Sequence, residues 1–197
     1  MLIIVRHGRT EANANGRLLG RLDLPLDPLG RRQAVALAQA VGPVDRVVSS
    51  PLLRTRQTAD AFAVEFGTEV ELDARFLELD YGEFEGRPLA EVPAEIWRTW
   101  RRDPTFAPPS GESLAALRLR VDEALDAWRD AARTETIVVV THVSPIKAAV
   151  AWALGVGDEV MWRMFVSPAS ITRIGIAETG PSLRTFNEVA HLDTVLE

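Results

Sequence analysis

Short apolar runs alternate along the chain with segments that have helical spacing. Three segments are strand-like, Leu2 to Val5, Arg46 to Ser49 and Thr136 to Thr141, and their continuous apolar residues are typical of strands buried on both faces. Helices are predicted where a capping residue precedes proline, at Asp27-Pro28, Ser50-Pro51 and Ser144-Pro145. This alternation predicts the α/β class, as a three-layer αβα sandwich with a mostly parallel central sheet.

A less regular segment follows at about residues 80–110, where prolines, glycines and aromatic residues are frequent. After it, apolar residues spaced along one face from Leu114 to Trp128 predict a helix, and Ser170 to Ile176 and Ser182 to Phe186 are further strand candidates. We therefore expect a single domain over residues 1–197, with the segment at about 80–110 as a partly helical, lid-like excursion.

Polar residues directly follow three of the predicted strands, as Arg6-His7, Ser49-Ser50 and Thr141-His142. In mostly parallel sheets, ligands bind beyond the carboxyl ends of the strands. A single histidine after a strand would say little, but two of only three histidines occupy equivalent positions. The sequence therefore predicts one pocket that is built from three separate strand ends.

The composition narrows the class of protein. The formal net charge of -6 disfavours a nucleic-acid partner, because such proteins usually present a basic face to the phosphate backbone. No stretch approaches the roughly 18 consecutive apolar residues of a membrane span, and the first residues lack the features of a signal peptide. We therefore expect a cytoplasmic protein with no membrane partner. The absence of cysteine and the scarcity of histidine favour catalysis without a metal ion or other cofactor.

Almost all of the positive charge is carried by arginine. It is unevenly distributed along the chain, and much of it lies near the predicted pocket. Arg6 adjoins His7, and Arg54 lies in the first turn of the helix predicted after Ser50-Pro51. Two planar guanidinium groups, two imidazoles and the free N–H groups of helix starts form a favourable site for a small anion. A phosphoryl group is the ligand that this combination of residues favours.

The segment from Arg6 to Asn13 resembles the RHG-x-T-x-x-N signature of the histidine phosphatase superfamily, in its phosphoglycerate mutase-like branch. That branch includes broad-specificity, acid and ribazole-phosphate phosphatases. The resemblance continues through most of the chain in the expected order, in SSPLLRTRQTA at 49–59, LELDYGEFEG at 77–86, PSGES at 109–113 and VVTHVSPIK at 139–147.

The resemblance implies that His7 is the nucleophile and forms a phosphohistidine, which water then hydrolyses. It also implies that Arg6, Arg54 and His142 bind the phosphoryl oxygens. Asn13 and the backbone N–H of Val143 are expected to add further donors. The neighbouring arginines disfavour the protonated form of His7, which leaves a neutral nitrogen for attack. We expect Gly8 to let the chain turn close to the bound phosphate.

The same resemblance assigns the general acid to Glu78, which would protonate the leaving group and then activate water. Asp80, Glu83 and Glu85 compete for this role, although most of this acidic cluster is expected to be solvated. The residues expected on the substrate side lie in the first loop and beside the acid: Arg9, Arg17, Leu19, Gly20, Arg21 and Tyr81. The arginines among them could equally pair with Asp23, Asp27 or Glu83.

These features predict a phosphomonoesterase that needs no metal and acts on small phosphorylated metabolites. A cofactor-dependent phosphoglycerate mutase is the nearest alternative, although the mutases that resemble this family are usually longer. A regulatory protein that binds phosphate ligands without turnover is a second alternative. The identity of the phosphorylated substrate stays open, and so does the oligomeric state, for which a homodimer through an edge strand is one option.

Overall fold

A computed structural model describes residues 1–193 and residue 195 of the chain. Its strands form a six-stranded sheet in the order β3-β2-β4-β1-β5-β6. The strands β1 to β4 are parallel to one another. β5 pairs with β1 in the antiparallel direction and β6 pairs with β5 in the same way, so these two strands continue the sheet beyond β1. The mostly parallel α/β sheet predicted from the sequence is therefore confirmed. The strand bounds are β1 Leu2–Arg6, β2 Arg46–Ser49, β3 Val70–Leu72, β4 Ile137–Thr141, β5 Ile171–Ala177 and β6 Gly180–Glu188.

Helices cover both faces of this sheet, and none in the described part of the chain is long and apolar enough to cross a membrane. The α-helices are α1 Glu11–Ala14, α2 Pro28–Val41, α3 Leu53–Phe66, α4 Ala94–Arg102, α5 Leu114–Arg129 and α6 Val143–Leu154. Short 3-10 helices span Ala74–Phe76, Gly82–Phe84, Leu89–Glu91, Ala131–Arg133, Asp158–Arg163 and Ala190–Leu192.

Two hydrophobic cores form because successive side chains of a strand point to opposite faces of the sheet. Ile3 and Val5 of β1 pack on one side with residues of α2 and α3, including Leu37 and Phe62. The alternate residues Leu2 and Ile4 pack on the other side with residues of α5 and α6. All five residues of β1 are buried, as are all five of β4. The carboxyl ends of these two central strands are thus held rigidly from both faces.

Two of the three predicted helix starts are displaced from the cap-and-proline positions. α2 begins as predicted, since Asp27 accepts a hydrogen bond from the Gly30 N–H at 2.7 Å. α3 begins only at Leu53, because the N–H of Ser50 still pairs with the β4 carbonyl of Val140 at 3.0 Å. α6 begins two residues earlier than predicted, at Val143 with His142 at the N-cap position. Its proline lies in the first turn, where a helix needs no N–H donor.

The segment at 80–110 contains α4 and two of the 3-10 helices. Trp100 is only 1% exposed and packs against the rings of Tyr81, Phe84, Trp97 and Phe106. Backbone hydrogen bonds of 2.9 Å join Leu18 to this segment, from its own N–H to Arg87 and from the Gly86 N–H to its carbonyl. The first loop and the excursion are therefore connected directly.

The structure gives a different reason for glycine at position 8 from the one expected. A Cβ atom at this position would lie 2.3 Å from the carbonyl oxygen of Gly30, in the first turn of α2. The absence of a side chain thus allows the backbone after β1 to pack directly against α2. Close packing of two backbone segments, rather than a tight turn around phosphate, requires glycine here.

Candidate active site

Parallel pairing of β1 with β4 places the two predicted histidines side by side. Arg6 lies opposite Thr141 in the register, and the His7 N–H continues the ladder to the Thr141 carbonyl at 3.0 Å. The two imidazole rings are 5.2 Å apart between centroids and inclined by 61°. Both side chains are buried, with His7 3% and His142 0% exposed. The sheet therefore brings together residues that are separated by 135 positions in the sequence.

His7 is fixed in the tautomer that a nucleophile requires. Its Nδ1 lies 2.7 Å from the carbonyl oxygen of Gly8. Because a carbonyl oxygen only accepts, Nδ1 carries the proton and Nε2 keeps its lone pair. Burial, followed by the positive charges of Arg54 and Arg6, lowers the pKa of His7 well below its ordinary value. The ring is therefore neutral at neutral pH, and Nε2 is available for attack.

His142 is also neutral in the ligand-free site. Burial, followed by the positive charges of Arg54 and Arg6, lowers its pKa well below the ordinary value. Its Nε2 lies 2.8 Å from the hydroxyl of Ser50, which follows β2. When the Ser50 hydroxyl donates this hydrogen bond, the proton of the neutral ring is on Nδ1. His142 can then donate to a phosphoryl oxygen without first carrying a charge.

Arg6 and Arg54 supply the positive charge of the site. Arg54 is fully buried, and its two terminal nitrogens donate to the carbonyls of Leu22 and Gly20 at 2.8 and 2.7 Å. Arg6 donates to the carbonyl of Val166 at 2.7 Å. Burial lowers the pKa of each guanidinium group to about 10, so both stay protonated at neutral pH. Neutral carbonyls thus position these cations and leave their charge available.

Three buried nitrogen atoms of this cluster lack a hydrogen-bond partner among the described residues. They are Nε of Arg6, Nε of Arg54 and Nδ1 of His142. Buried polar groups are almost always hydrogen-bonded, and each unpaired one carries a free-energy penalty. A tetrahedral oxyanion could accept from all three groups, and charge-assisted hydrogen bonds would be strong at this depth. The arrangement therefore offers the donors of an anion site beside the neutral ring of His7.

Glu78 lies at the N-terminus of α6, next to this anion site. Its Oε2 accepts the Val143 N–H at 3.0 Å, and its Oε1 accepts the Ser144 N–H at 3.1 Å. The carboxylate is 3% exposed, and it is the largest opposing charge on both Arg6 and Arg54. The positive end of the helix dipole favours a carboxylate at this position. Of the acidic residues near 80, Glu78 therefore lies beside the anion site.

The Val143 amide was expected to bind phosphate, but the structure pairs it with Glu78. The reason is the early start of α6, which makes Val143 and Ser144 the first two residues of the helix. Their N–H groups have no acceptor within the helix, and the buried carboxylate satisfies them instead. The role that the structure gives Val143 is to orient the acid.

Most of the acidic residues near position 80 were expected to be solvated, but Glu85 is half-buried and bonded to the first loop. Its carboxylate accepts the N–H groups of Gly20 at 2.7 Å, Arg21 at 3.1 Å and Leu22 at 3.3 Å. Because Arg54 holds the carbonyls of the same loop, the loop is bound on both sides. Of the other two candidates, Asp80 accepts the N–H of Gly82 at 2.9 Å and Glu83 is exposed.

The arginines expected on the substrate side already have partners within the protein. Arg9 forms a 2.7 Å salt bridge with Asp27, and Arg17 donates to the carbonyl of Gly86 at 3.0 Å. Arg21 contacts Glu112 at 3.4 Å. Of the pairings with Asp23, Asp27 or Glu83 that the sequence offered, the described residues contain the one between Arg9 and Asp27, whereas Arg17 and Arg21 have other partners. Leu19 is buried, and Gly20 contributes its backbone to the loop that Arg54 and Glu85 hold.

Asn13 lies in the short helix α1, and Tyr81 directly precedes the 3-10 helix Gly82–Phe84. Oδ1 of Asn13 accepts the N–H of Thr10 at 3.2 Å in a reciprocal capping box, so the amide nitrogen is the end that remains for a ligand. Tyr81 packs edge-on against Trp100, with ring centroids 5.9 Å apart. Burial and the nearby Glu78 charge raise the pKa of Tyr81, so its phenol is protonated at neutral pH.

The sequence placed Ser50 at a strand end, but it gave no signal for the contact of its hydroxyl or for the positioning roles of Thr58 and Arg120. The Ser50 hydroxyl orients His142, and the Thr58 hydroxyl accepts the N–H of Gly8 at 3.1 Å. Arg120 of α5 donates to the carbonyl of Glu78 at 3.2 Å while paired with Glu112 at 2.7 Å.

The third histidine, His191, is not part of this cluster, and its Nε2 lies 2.9 Å from the carbonyl oxygen of Ala169. Within residues 1–193 and 195, no three acidic or histidine side chains are grouped to hold a metal ion.

The chain belongs to the histidine phosphatase superfamily (branch 1), whose family model matches residues 2–189. Phosphoserine phosphatase 1 of Hydrogenobacter thermophilus is 35% identical over 197 residues, which cover 97% of this chain and 93% of the relative. A probable phosphoglycerate mutase of Cronobacter sakazakii is 34% identical over 203 residues, covering 96% of this chain and 94% of the relative. The family predicted from the motifs is confirmed.

A bifunctional protein of Mycobacterium tuberculosis is 34% identical over 198 residues, or 97% of this chain and 54% of the relative. The chain thus spans about half the length of the first curated relatives it matches. Among solved structures, a phosphoserine phosphatase mutant of Entamoeba histolytica in complex with phosphoserine has a TM-score of 0.89, at 29% identity and 97% and 98% coverage of the two chains. A mycobacterial glucosyl-3-phosphoglycerate phosphatase with VO3 has a TM-score of 0.86, at 30% identity and 95% and 98% coverage.

The two neutral histidines make stability depend on pH. Their pKa values in the folded protein are below the ordinary value of about 6.5, so below that pH the unfolded chain binds protons that the folded protein does not. We expect each histidine to lower the free energy of unfolding by about 1.4 kcal/mol per pH unit below pH ~6.5. Urea denaturation at several pH values gives the free energy of unfolding as a function of pH. Below pH ~6.5 this free energy should change less steeply with pH in His7→Asn and in His142→Asn than in the unsubstituted protein. An unchanged slope in both variants would contradict burial of the neutral rings.

Proposed function

We propose that this chain is a phosphomonoesterase that hydrolyses small phosphorylated metabolites through a phosphohistidine on His7. The observation that carries this proposal is the cluster of unpartnered buried donors around the Nε2 of a neutral histidine, with a carboxyl group on the adjoining helix N-terminus. Nucleophile, anion clamp and acid are the three parts that phosphoryl transfer without a metal ion requires. Membership of the histidine phosphatase superfamily supports the same conclusion.

In the first step, the lone pair of His7 Nε2 attacks phosphorus while the bond from phosphorus to the leaving-group oxygen breaks. Arg6, Arg54 and the Nδ1–H of His142 bind the nonbridging oxygens and stabilise the charge spread over them in the transition state. Asn13 adds its amide nitrogen at the rim. Glu78, in its protonated form, gives its proton to the departing oxygen, and the products are an alcohol and a phosphohistidine.

In the second step, water attacks the phosphohistidine and the P–N bond breaks. The Glu78 carboxylate takes one proton from the attacking water, the remaining hydroxyl forms inorganic phosphate, and His7 Nε2 regains its lone pair. The carboxyl group thus ends the cycle protonated, ready for the next substrate. The N–H groups of Val143 and Ser144 keep the carboxylate oriented between the two steps.

A phosphoglycerate mutase is the second candidate, because one relative with 34% identity is a probable enzyme of that kind. A mutase returns the phosphoryl group to a hydroxyl of the substrate, whereas a phosphatase gives it to water. With 3-phosphoglycerate and added 2,3-bisphosphoglycerate, we expect free phosphate and no 2-phosphoglycerate. Coupled assays for the two products separate the candidates, and 2-phosphoglycerate formed faster than phosphate would favour the mutase.

The nucleophile can be trapped directly. Rapid quenching of the protein with a 32P-labelled phosphomonoester should give an acid-labile, base-stable label on His7. The variant His7→Ala should lose the label and lower kcat by about 10³-fold or more, because no other group replaces the nucleophile. His191→Ala is a matched control, since that histidine lies outside the site and bonds to Ala169. Full labelling of His7→Ala would refute the assignment.

The acid has a test that depends on the leaving group. For an alkyl phosphate, whose alkoxide needs a proton, Glu78→Gln should lower kcat by about 10²- to 10⁴-fold. For p-nitrophenyl phosphate the loss should be much smaller, because the nitrophenolate leaves without protonation. The exposed Glu83→Gln should change neither rate. Equal losses for both substrates in Glu78→Gln would show that the carboxylate has only a structural role.

A further inference from the structure

An apolar cavity of about 190 Å³ opens beside the site, between the 80–110 segment, α6 and the 3-10 helix Asp158–Arg163. Its walls are mainly aromatic and aliphatic, and they include Trp97, Trp100 and Trp162. A dry cavity of about 150 Å³ is enough to bind benzene, so this one can accept a ring or a hydrocarbon group of similar size. Nothing in the catalytic cycle described above uses it.

The cavity lies on the leaving-group side of the site. Val143 and Ser144, whose N–H groups hold Glu78, both line it, and so does Leu79, the residue after the acid. A carboxyl group that protonates the departing oxygen must lie next to that oxygen. The part of the substrate that leaves with the oxygen therefore extends from Glu78 toward this cavity.

Lys147 is the one cationic residue of the cavity wall, and it is also the only lysine of the chain. It lies on α6 one turn after Ser144, half-buried, and close enough to Glu78 and Arg6 for both to affect its pKa. No Asp or Glu lines the cavity. Within the described part of the chain, Lys147 takes part in no salt bridge, in contrast to Arg9, Arg21 and Arg120.

We propose that Lys147 is a specificity-determining residue that binds a carboxylate on an otherwise apolar leaving group held in this cavity. This inference rests on the proposed phosphatase function, because it extends the substrate beyond its phosphoryl group. A half-buried ammonium group in an apolar wall is poorly solvated, so a carboxylate from the substrate would form a strong charge-assisted hydrogen bond with it. Arg6 and Arg54 would bind the phosphoryl end and Lys147 the acidic end.

The same cavity disfavours a leaving group that carries an ammonium group. No carboxylate in its wall could pair with such a cation, and Lys147 would repel it. Burying an unpaired charge in an apolar site carries a large free-energy penalty. The preferred substrates should thus differ from phosphoserine, the ligand of one structural neighbour, by lacking a free amine.

Three phosphomonoesters isolate this preference: phenyl phosphate, 4-carboxyphenyl phosphate and 4-(aminomethyl)phenyl phosphate. We expect the carboxylated ester to exceed phenyl phosphate in kcat/KM by about tenfold or more, and the aminomethyl ester to fall below it. In Lys147→Met the advantage of the carboxylate should disappear while turnover of phenyl phosphate remains. Lys147→Arg should restore much of the advantage, and Arg98→Met, on the exposed face of α4, should leave it unchanged.

A binding measurement separates this inference from the proposed function. Calorimetry with phenylphosphonate and 4-carboxyphenylphosphonate, which are not hydrolysed, gives the ratio of the two Kd values without any turnover. A ratio that favours the carboxylate and falls to about one in Lys147→Met would support the inference even if no ester were hydrolysed. A wild-type ratio near one, or an equal loss of affinity for both ligands in Lys147→Met, would overturn it. Absence of turnover alone would count only against the phosphatase.

Discussion

The site depends on the burial of two guanidinium groups with no salt bridge of their own in the described structure. Arg6 and Arg54 are held by main-chain carbonyls, and the two histidines beside them are neutral. Charges in a poorly solvated site are unfavourable without a counter-ion, and the Glu78 carboxylate offsets only part of this charge. The site is therefore positively charged, and under the proposed function a phosphoryl dianion would balance this charge. Burial and the positive charges of Arg54 and Arg6 also keep His7 neutral, so the features that favour an anion leave the Nε2 lone pair free.

Such a site requires a scaffold that does not relax to solvate the charges. β1 and β4 supply it because both are buried on two faces, which fixes the positions where His7 and His142 leave the sheet. The first loop is more exposed, but Arg54 binds its carbonyls and Glu85 its N–H groups. The arginine thus has two roles, since it carries charge for the anion and anchors the loop beside it.

The periodicity of the sequence was enough to predict the α/β sheet, and the strand-end positions of His7 and His142 were enough to predict one shared pocket. The sequence pattern could not predict features that depend on how strands and helices are aligned in the folded protein. The sheet ladder continues through the N–H of Ser50 and delays α3, while α6 begins at Val143 and gives its first amides to Glu78. The roles of Glu85, Ser50 and Arg120 arise from contacts across 42 or more positions, which no local sequence pattern records. The position of Lys147 in a cavity wall likewise depends on the folded 80–110 segment, which supplies other walls of that cavity.

The start of α6 links the chemistry to the choice of substrate. The first residues of this helix place His142 at the N-cap beside His7, pair the amides of Val143 and Ser144 with Glu78, and place Lys147 in the cavity wall. These groups follow one another along a rigid backbone, so their relative positions cannot be adjusted independently. A helix beginning at Pro145 with Ser144 as its N-cap, as the sequence suggested, would not have presented the Val143 amide to Glu78. The two-residue difference in the helix start therefore determines how the Glu78 carboxylate is held.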